Sequence, residues 1–174
     1  MLIRAAEPAD APVILELIQE LADYEKAPTE VIATVADLEA TLFCESPAVF
    51  CHLVEEDSGG GQANDGERGG GRSRGGAVVG MAIWFLNYST WHGKHGIYLE
   101  DLFVREQYRG RGYGLAMLKF LASLCVERGY TRFQWWVLDW NTPAIEFYKS
   151  QGAVPMSEWT VFRVTGEPLR HLAN

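Results

Sequence analysis

The sequence predicts a mixed α/β fold in which helices cover the faces of one central sheet. Apolar residues recur at three- and four-residue spacing in several segments, and short apolar or alternating runs lie between those segments. This alternation of helical and extended patterns is typical of a sheet with helices packed on it. The chain has 174 residues, of which 48% are apolar and 22% charged, as in ordinary globular domains. Chains of this length rarely divide, so we expect a single domain, residues 1–174.

The first part of the chain contains two strand patterns and two helix patterns. From Asp10, apolar side chains such as Ile14 and Leu17 repeat with helical spacing. Thr34 and Asp37 resemble a capping box, which is a common start of a helix. The predicted elements are a strand at 2–6, a helix from Asp10 to Pro28, a helix from Thr34 to about Phe43 and a strand at 48–55.

Glycine dominates the next segment, residues 57–76, which holds 9 of the 18 glycines. Such a composition buries too little apolar surface to fold by itself. Another strand pattern follows, and the part of the chain before the segment is too small to form a core alone. We therefore expect 57–76 to be a flexible hairpin loop and not a linker between domains.

Proline and glycine bound the remaining elements. Pro143 lies in a first helical turn, where proline is tolerated, and Gly129 and Gly152 follow helix patterns. Alternating and aromatic-rich runs predict strands. The predicted elements are strands at 77–87 and 97–104, a helix at 115–128, a strand at 130–140, a helix from Asn141 to Gly152 and a last strand at 159–164.

Charge and hydropathy exclude several classes of function. The formal net charge of −8 disfavours binding to nucleic acid or to an anionic membrane surface. The longest apolar stretch, 77–86, is much shorter than the ~20 residues of a membrane-spanning helix. The N-terminal residues do not have the pattern of a signal peptide, so we expect a cytoplasmic protein without a membrane partner.

Cysteine and histidine indicate neither a disulfide framework nor a metal site. Cys44, Cys51 and Cys125 form no C-x-x-C pair and are expected to be free thiols. His92 and His95 form an H-x-x-H pattern, but no third ligand accompanies them. We expect no metal cofactor.

A strand, a glycine-rich turn and a helix follow one another between residues 98 and 118. The turn at 109–114 reads Arg-Gly-Arg-Gly-Tyr-Gly. Amide N–H groups at the start of a helix have no intrahelical partner, and glycine lets a phosphate approach them closely. The turn therefore predicts an anion site. Its spacing fits neither G-x-G-x-x-G, because Leu115 stands at the last glycine position, nor G-x-x-x-x-G-K-[ST].

The Arg-x-x-Gly-x-Gly pattern at 109–114 resembles the pyrophosphate-binding turn of the GNAT N-acetyltransferases, which use acetyl-coenzyme A. The run at 140–153 resembles the W-N-x-P-x-x-x-F-Y-x-x-x-G-A segment of the same family. Similarity to its diamine (spermidine/spermine) and thialysine N-acetyltransferase branch lies at 17–25, 91–94 and 98–101. The resemblance extends from Ile3 to about Val164, apart from the glycine-rich loop.

The resemblance implies the GNAT fold, with a mostly antiparallel sheet, and transfer of an acetyl group to a primary amine of a small cationic metabolite in a ternary complex. It implies that Glu100 accepts a proton from the amine through water and that Tyr148 protonates the departing thiolate. The residues implied in coenzyme binding are Leu102, Val104, Arg109, Gly110, Arg111, Gly112, Tyr113, Gly114 and Asn141. Those implied in binding the amine are Tyr24, Glu25, Trp91, Asp101 and Glu158. A homodimer is also implied, and no metal is required.

Residue spacing bears on these roles. Asn141 and Tyr148 are seven apart, so two helical turns place them on one helix face, where one ligand can contact both. Glu100 and Asp101 are adjacent, and in a regular strand they face opposite sides of the sheet. Without the resemblance, core packing is the better explanation of Tyr148. Without it, a salt bridge and a functional cleft are also equally good explanations for the presence of Glu100 and Asp101 in an otherwise apolar strand.

The acceptor and two alternative activities stay open. Ser89 stands two residues before Trp91, where the branch commonly has an acidic residue, and Ala144 replaces a serine that contacts the coenzyme. A lysine-like or diamine acceptor is therefore as well supported as a long polyamine. One alternative is acetylation of protein lysines or N-termini, and activity on free amines but not on peptides would exclude it. The other is an acyl-coenzyme A sensor without turnover, and release of the coenzyme thiol would exclude it.

Overall fold

The computed structural model describes residues 1–57 and 76–174. The described residues form two units, Met1–Trp136 and Val137–Asn174, and each is described by itself. Residues 58–75 of the glycine-rich loop predicted at 57–76 lie outside the described residues. Of the helices described, none combines the length and the apolar character needed to cross a membrane.

One sheet forms the first unit, with the described strands in the order β1-β2-β3-β4-β5. Neighbouring strands are antiparallel, except that β4 and β5 are parallel. The strands are β1 (Leu2–Ala5), β2 (Val49–Glu55), β3 (Val78–Ser89), β4 (Lys94–Val104) and β5 (Phe133–Trp135). The helices are α1 (Ala11–Tyr24), α2 (Val35–Leu42) and α3 (Tyr113–Glu127), with short 3-10 turns at Pro8–Asp10 and Glu106–Tyr108. The predicted mixed and mostly antiparallel sheet is confirmed.

The start of α2 is the capping box that the sequence predicts. The hydroxyl of Thr34 accepts a hydrogen bond from the Asp37 amide at 3.2 Å, and the Asp37 carboxylate accepts one from the Thr34 amide at 2.8 Å. Two N-terminal N–H groups are thereby satisfied. The Thr34 hydroxyl also donates a hydrogen bond to the Asp37 carboxylate at 2.6 Å. This bond, and then the one from the Thr34 amide, lower the pKa of Asp37.

Helices α1 and α2 pack on one face of the sheet and enclose the core. Every second residue of a strand points to this face. The buried members of this core are Ile14, Leu17, Leu42, Cys51, Leu53, Met81, Ile83 and Phe103. Because Cys51, Ile83 and Asp101 are paired across β2, β3 and β4, Asp101 lies on this face as well.

An aromatic group on β2 and β3 faces α3 on the other side of the sheet. The ring of Phe50 stacks on Trp84 with 4.5 Å between centroids, and His52 lies 4.7 Å from the ring of Phe120 on α3. Burial lowers the pKa of His52 to about 4, with a smaller effect from Arg128. The neutral imidazole therefore accepts a hydrogen bond from the Trp84 indole through Nδ1, at 3.0 Å.

The strand predicted at 130–140 is much shorter than expected. Only Phe133–Trp135 forms β5, which pairs with Ile97–Leu99 of β4. The aromatic side chains that suggest a longer strand include Trp136, which is half exposed. Aromatic content favours a pleated, half-buried surface but does not supply a pairing partner. As a result, β4 continues past its last residue paired with β5.

The second unit contains α4 (Thr142–Ser150) and α5 (Gly166–Leu172). Helix α4 confirms the helix predicted between Asn141 and Gly152. The strand predicted at 159–164 is wrong, because within the described ranges these residues pair with no strand. Alternating apolar residues produce a strand only where a neighbouring strand completes the backbone hydrogen bonds.

Helix α5 is not predicted by apolar spacing. Its charges are placed as a helix prefers, with Glu167 in the first turn and Arg170 and His171 in the last. This signal is local and weak, whereas the alternating run before it is more conspicuous.

Candidate functional site

The last residues of β4 extend beyond its pairing with β5. Pairing between the two strands stops at Leu99, while β4 runs on to Val104. A register shift opposite Ile83 and Trp84 leaves Glu100 as the extra residue of a β-bulge. Leu102 and Val104 follow, paired with β3 on their other edge. An extended ligand can therefore lie along this part of β4 as an additional strand.

The predicted anion-binding turn directly follows this edge. Gly110 and Gly112 have φ values of +74° and +85°, which favour glycine. Gly112 is the N-cap of α3, and a Cβ built there would meet no atom of the described residues within 4 Å. Space is thus open beside Gly112, and the first amide N–H groups of α3 have no partner within the helix. Groups of this kind bind phosphates.

Arg109 connects the turn to α1. Its Nε donates a hydrogen bond to the carbonyl oxygen of Val104 at 3.0 Å. Its guanidinium carbon lies 4.5 Å from the ring centroid of Tyr24 and 5.6 Å from that of Phe103. Cation–π contacts at these distances are attractive. Arg109 therefore joins the coenzyme-binding residues implied by the sequence to Tyr24, an implied amine-binding residue.

Glu56 also takes part in the turn, although the sequence analysis gives it no role. Its Oε1 accepts hydrogen bonds from Nη1 of Arg111 at 3.0 Å and from the Tyr113 hydroxyl at 3.2 Å. Burial raises the pKa of Tyr113, and the bond to Glu56 raises it further. Tyr113 therefore remains a donor at neutral pH. No spacing rule identifies Glu56, because it is 55 residues from Arg111 in the chain.

The two adjacent carboxylates of β4 have different environments. Glu100, in the bulge, is exposed to solvent. Asp101 lies on the core face, and its pKa is raised to about 6, mainly by burial and then by the negative charges of Glu100 and Glu25. The pKa of Glu25 is raised by burial. Near neutral pH the neighbouring carboxylates Glu25, Glu100 and Asp101 can together attract a cation.

Trp91 is not brought to this group. It lies in the tight turn between β3 and β4 and is 92% exposed. Lys94, the first residue of β4, is roughly 24 Å from Asp101 along the strand, at about 3.4 Å per residue. The structure thus unites Tyr24, Glu25 and Asp101 and leaves Trp91 at the opposite end of β4. A role for Trp91 stays a prediction.

The second unit carries the other implied residues. Asn141 is the N-cap of α4, and its Oδ1 accepts a hydrogen bond from the Ala144 amide at 3.3 Å. Tyr148 is half-buried on α4, with its ring 5.4 Å from that of Phe147. The seven-residue spacing of Asn141 and Tyr148 therefore spans this helix, as predicted. Glu158 is exposed in the segment between α4 and α5.

Neither a metal centre nor an activated thiol is found in the described ranges. No group of three or more His, Cys, Asp and Glu side chains there is arranged to hold a metal ion. Burial, with smaller effects from Asp10 and Asp101, raises the pKa of Cys51 to about 12, which keeps this thiol protonated. Cys44 and Cys125 are also free thiols.

Comparisons with known proteins show which family the chain is similar to. Residues 18–153 match the model of the Acetyltransferase (GNAT) family. The thialysine N-epsilon-acetyltransferase of Bos taurus is 38% identical over 99% of this chain and 97% of its own length. The human spermidine/spermine N(1)-acetyltransferase-like protein 1 is 34% identical over 98% of this chain and 23% of its own length. Among solved structures, an integron cassette protein from the mobile metagenome of V. cholerae has a TM-score of 0.74 and 25% identity, covering 99% of this chain and 96% of that one.

Proposed function

Because the chain belongs to the GNAT acetyltransferase family, we propose that it transfers the acetyl group of acetyl-coenzyme A to a primary amine of a small cationic metabolite. The observation that carries the proposal is the last part of β4, which within the described residues has no strand partner on the β5 side and leads directly into the glycine turn and the start of α3. One continuous surface thus offers main-chain groups for an extended arm and N–H groups for a diphosphate.

Residues of the first unit fit the coenzyme. Main-chain groups of Leu102 and Val104 would bind its pantetheine arm, and the turn at 109–114 would bind its pyrophosphate. The positive φ and open space at Gly112 support this assignment. Bound there, acetyl-coenzyme A supplies an activated acyl group with a thiolate leaving group. From the second unit we assign Asn141 to the same arm, as the family resemblance implies.

The carboxylates fit the needs of the amine. An alkyl amine has a pKa of about 10.4 and is protonated at neutral pH, so it must lose a proton before it can react. Glu100 is exposed and would accept that proton through water, while Asp101, Glu25 and Tyr24 would hold the cationic substrate. Tyr148 would donate a proton to the sulfur. We also assign Glu158 to the amine side. The assignment of Trp91 rests on the family resemblance alone, because within this chain Trp91 lies at the opposite end of β4 from Asp101.

The preferred acceptor is a thialysine-like or lysine-like amine. The thialysine acetyltransferase relative is somewhat more similar to this chain, at 38% identity, than the polyamine-type relative, at 34%, and both match nearly the whole chain. Ser89, in place of an acidic residue near Trp91, removes one charge that a long polycation would use. Short diamines remain in the proposed range.

Organisation and location complete the proposal. The family match at 18–153 extends across both units, which supports their action as one catalytic domain. A homodimer in the cytoplasm is proposed from the resemblance to the diamine and thialysine branch. Light scattering of the purified full chain measures the oligomeric state directly.

A thiol-release assay with an amine panel tests the proposed activity. Purified protein and acetyl-coenzyme A are mixed with thialysine, lysine, putrescine, spermidine, spermine or a lysine-containing peptide, and free coenzyme A thiol is measured. We expect release with thialysine or a short diamine and none above background with the peptide. Peptide-selective release would instead indicate a protein acetyltransferase. Coenzyme binding without release for any amine would indicate a sensor, and no coenzyme binding would refute the proposal.

A further inference from the structure

Glu56 is a carboxylate at the entrance of the proposed diphosphate site. It directly follows β2, and its Oε1 accepts from both Arg111 at 3.0 Å and Tyr113 at 3.2 Å. These two donors flank Gly112, the N-cap of α3. One carboxylate oxygen therefore holds the side chains on both sides of the residue in front of which a phosphate would lie.

The contact has an electrostatic cost for an anionic ligand. Arg111 is the turn's half-exposed cation, and its guanidinium is paired with Glu56 while it also lies 5.3 Å from the ring of Tyr108. A cation paired with a carboxylate attracts a phosphate less than a free one does, and the carboxylate itself repels the phosphate. A role restricted to holding the turn would have the opposite effect, because loss of Glu56 would then weaken binding.

We propose that Glu56 limits the affinity of the coenzyme site by engaging Arg111 and placing a negative charge beside the bound phosphates. This inference rests on the proposed function, since it concerns the same site. The limited affinity favours release of the product. Coenzyme A carries the same phosphates as the substrate and must dissociate after each turnover. Glu56 thus sets the affinity of the site for the coenzyme, and it takes no part in the reaction itself.

The variant Glu56→Gln separates charge from shape. Glutamine keeps an oxygen that accepts from Arg111 and Tyr113 but carries no charge. We expect the Kd of coenzyme A, measured by calorimetry in low salt, to fall about three- to fivefold, the range of a partly exposed charge interaction. Surface plasmon resonance should show the change mainly in the dissociation rate. In about 0.5 M salt the gain should shrink.

Three controls define the result. Glu127→Gln removes one charge at the other end of α3, about 20 Å away, and should leave the Kd unchanged. Pantetheine, which has no phosphate, should bind wild type and Glu56→Gln equally. In an Arg111→Ala background, the effect of Glu56→Gln should become smaller, because part of it acts through Arg111.

The outcomes are decisive. If wild type binds coenzyme A and Glu56→Gln binds it equally or more weakly, Glu56 only holds the turn and the inference is refuted. If wild type does not bind coenzyme A, the proposed function fails first. Thermal unfolding without ligand checks that the variant is folded. Should it not fold, Glu56→Ala is expected to give a gain of the same sign and provides the same test.

Discussion

Replacing Asp101 with asparagine tests the electrostatics of the amine side of the site. Asp101 lies on the core face of β4, and burial raises its pKa from 3.8 to about 6. Each pKa unit corresponds to about 1.4 kcal/mol, so ionising Asp101 in the folded protein costs about 3 kcal/mol relative to the unfolded chain. Asparagine has nearly the same shape and does not titrate. The variant therefore isolates this cost.

The direction in which stability changes with pH follows from proton binding. A raised carboxyl pKa means that the folded protein holds the proton more tightly than the unfolded chain does. The stability associated with protonated Asp101 is complete below about pH 4 and is lost as the pH rises through about 6. We expect the unfolding free energy of Asp101→Asn minus that of wild type to increase by about 2.4 kcal/mol between pH 4 and pH 7.5, because about 0.6 of the ~3 kcal/mol is already lost at pH 4.

Urea unfolding at several pH values provides the measurement. The pKa of His52 is lowered to about 4, so the contribution of His52 to stability increases with pH over this range. Both proteins contain His52, and its effect therefore cancels in the difference. Glu127→Gln, at the exposed end of α3, controls for the loss of one negative charge. A difference that stays constant between pH 4 and pH 7.5 would refute the reasoning that Asp101 is a buried ionisable group.

Three further predictions concern catalysis, the turn and a helix cap. Tyr148→Phe should lower kcat by about 10²–10⁴-fold in the thiol-release assay with little effect on coenzyme Kd, and an unchanged kcat would remove Tyr148 from the mechanism. Gly112→Ala should lose about 1–2 kcal/mol of stability in urea because φ is +85° there, whereas Gly114→Ala, where a Cβ would meet only Val104 at 4.0 Å, should be tolerated; equal losses would contradict this. Thr34→Ala should cost about 1 kcal/mol through loss of the capping box, and no change in the urea midpoint would show that the cap contributes nothing.

Local chemistry explains which parts of the fold are predictable from the sequence. The capping box at Thr34 and the glycines after α3 and α4 act through contacts within a few residues, so their patterns identify the elements. The strand at 159–164 and the length of β5 depend on a pairing partner elsewhere in the chain. Alternation or aromatic content cannot supply that information, and both predictions fail there.

The same distinction applies to the candidate site. The turn at 109–114 is visible in the sequence because its glycines are needed by the backbone itself. Adjacent Glu100 and Asp101 are also visible, but the bulge that separates their environments arises from the register with β3. The position of Glu56 is not visible in the sequence, because Glu56 reaches Arg111 only through the pairing of β2 with β3 and of β3 with β4.

The early end of β5 has a consequence for the resting enzyme. Main-chain amides on the outer margin of β4 should exchange their hydrogens with solvent rapidly in the free protein and slowly once a ligand completes the ladder. A ligand at a hundredfold excess over its Kd adds about 2.7 kcal/mol to the apparent stability. Resistance to heat and proteolysis would then increase with the concentration of a ligand that binds along this edge.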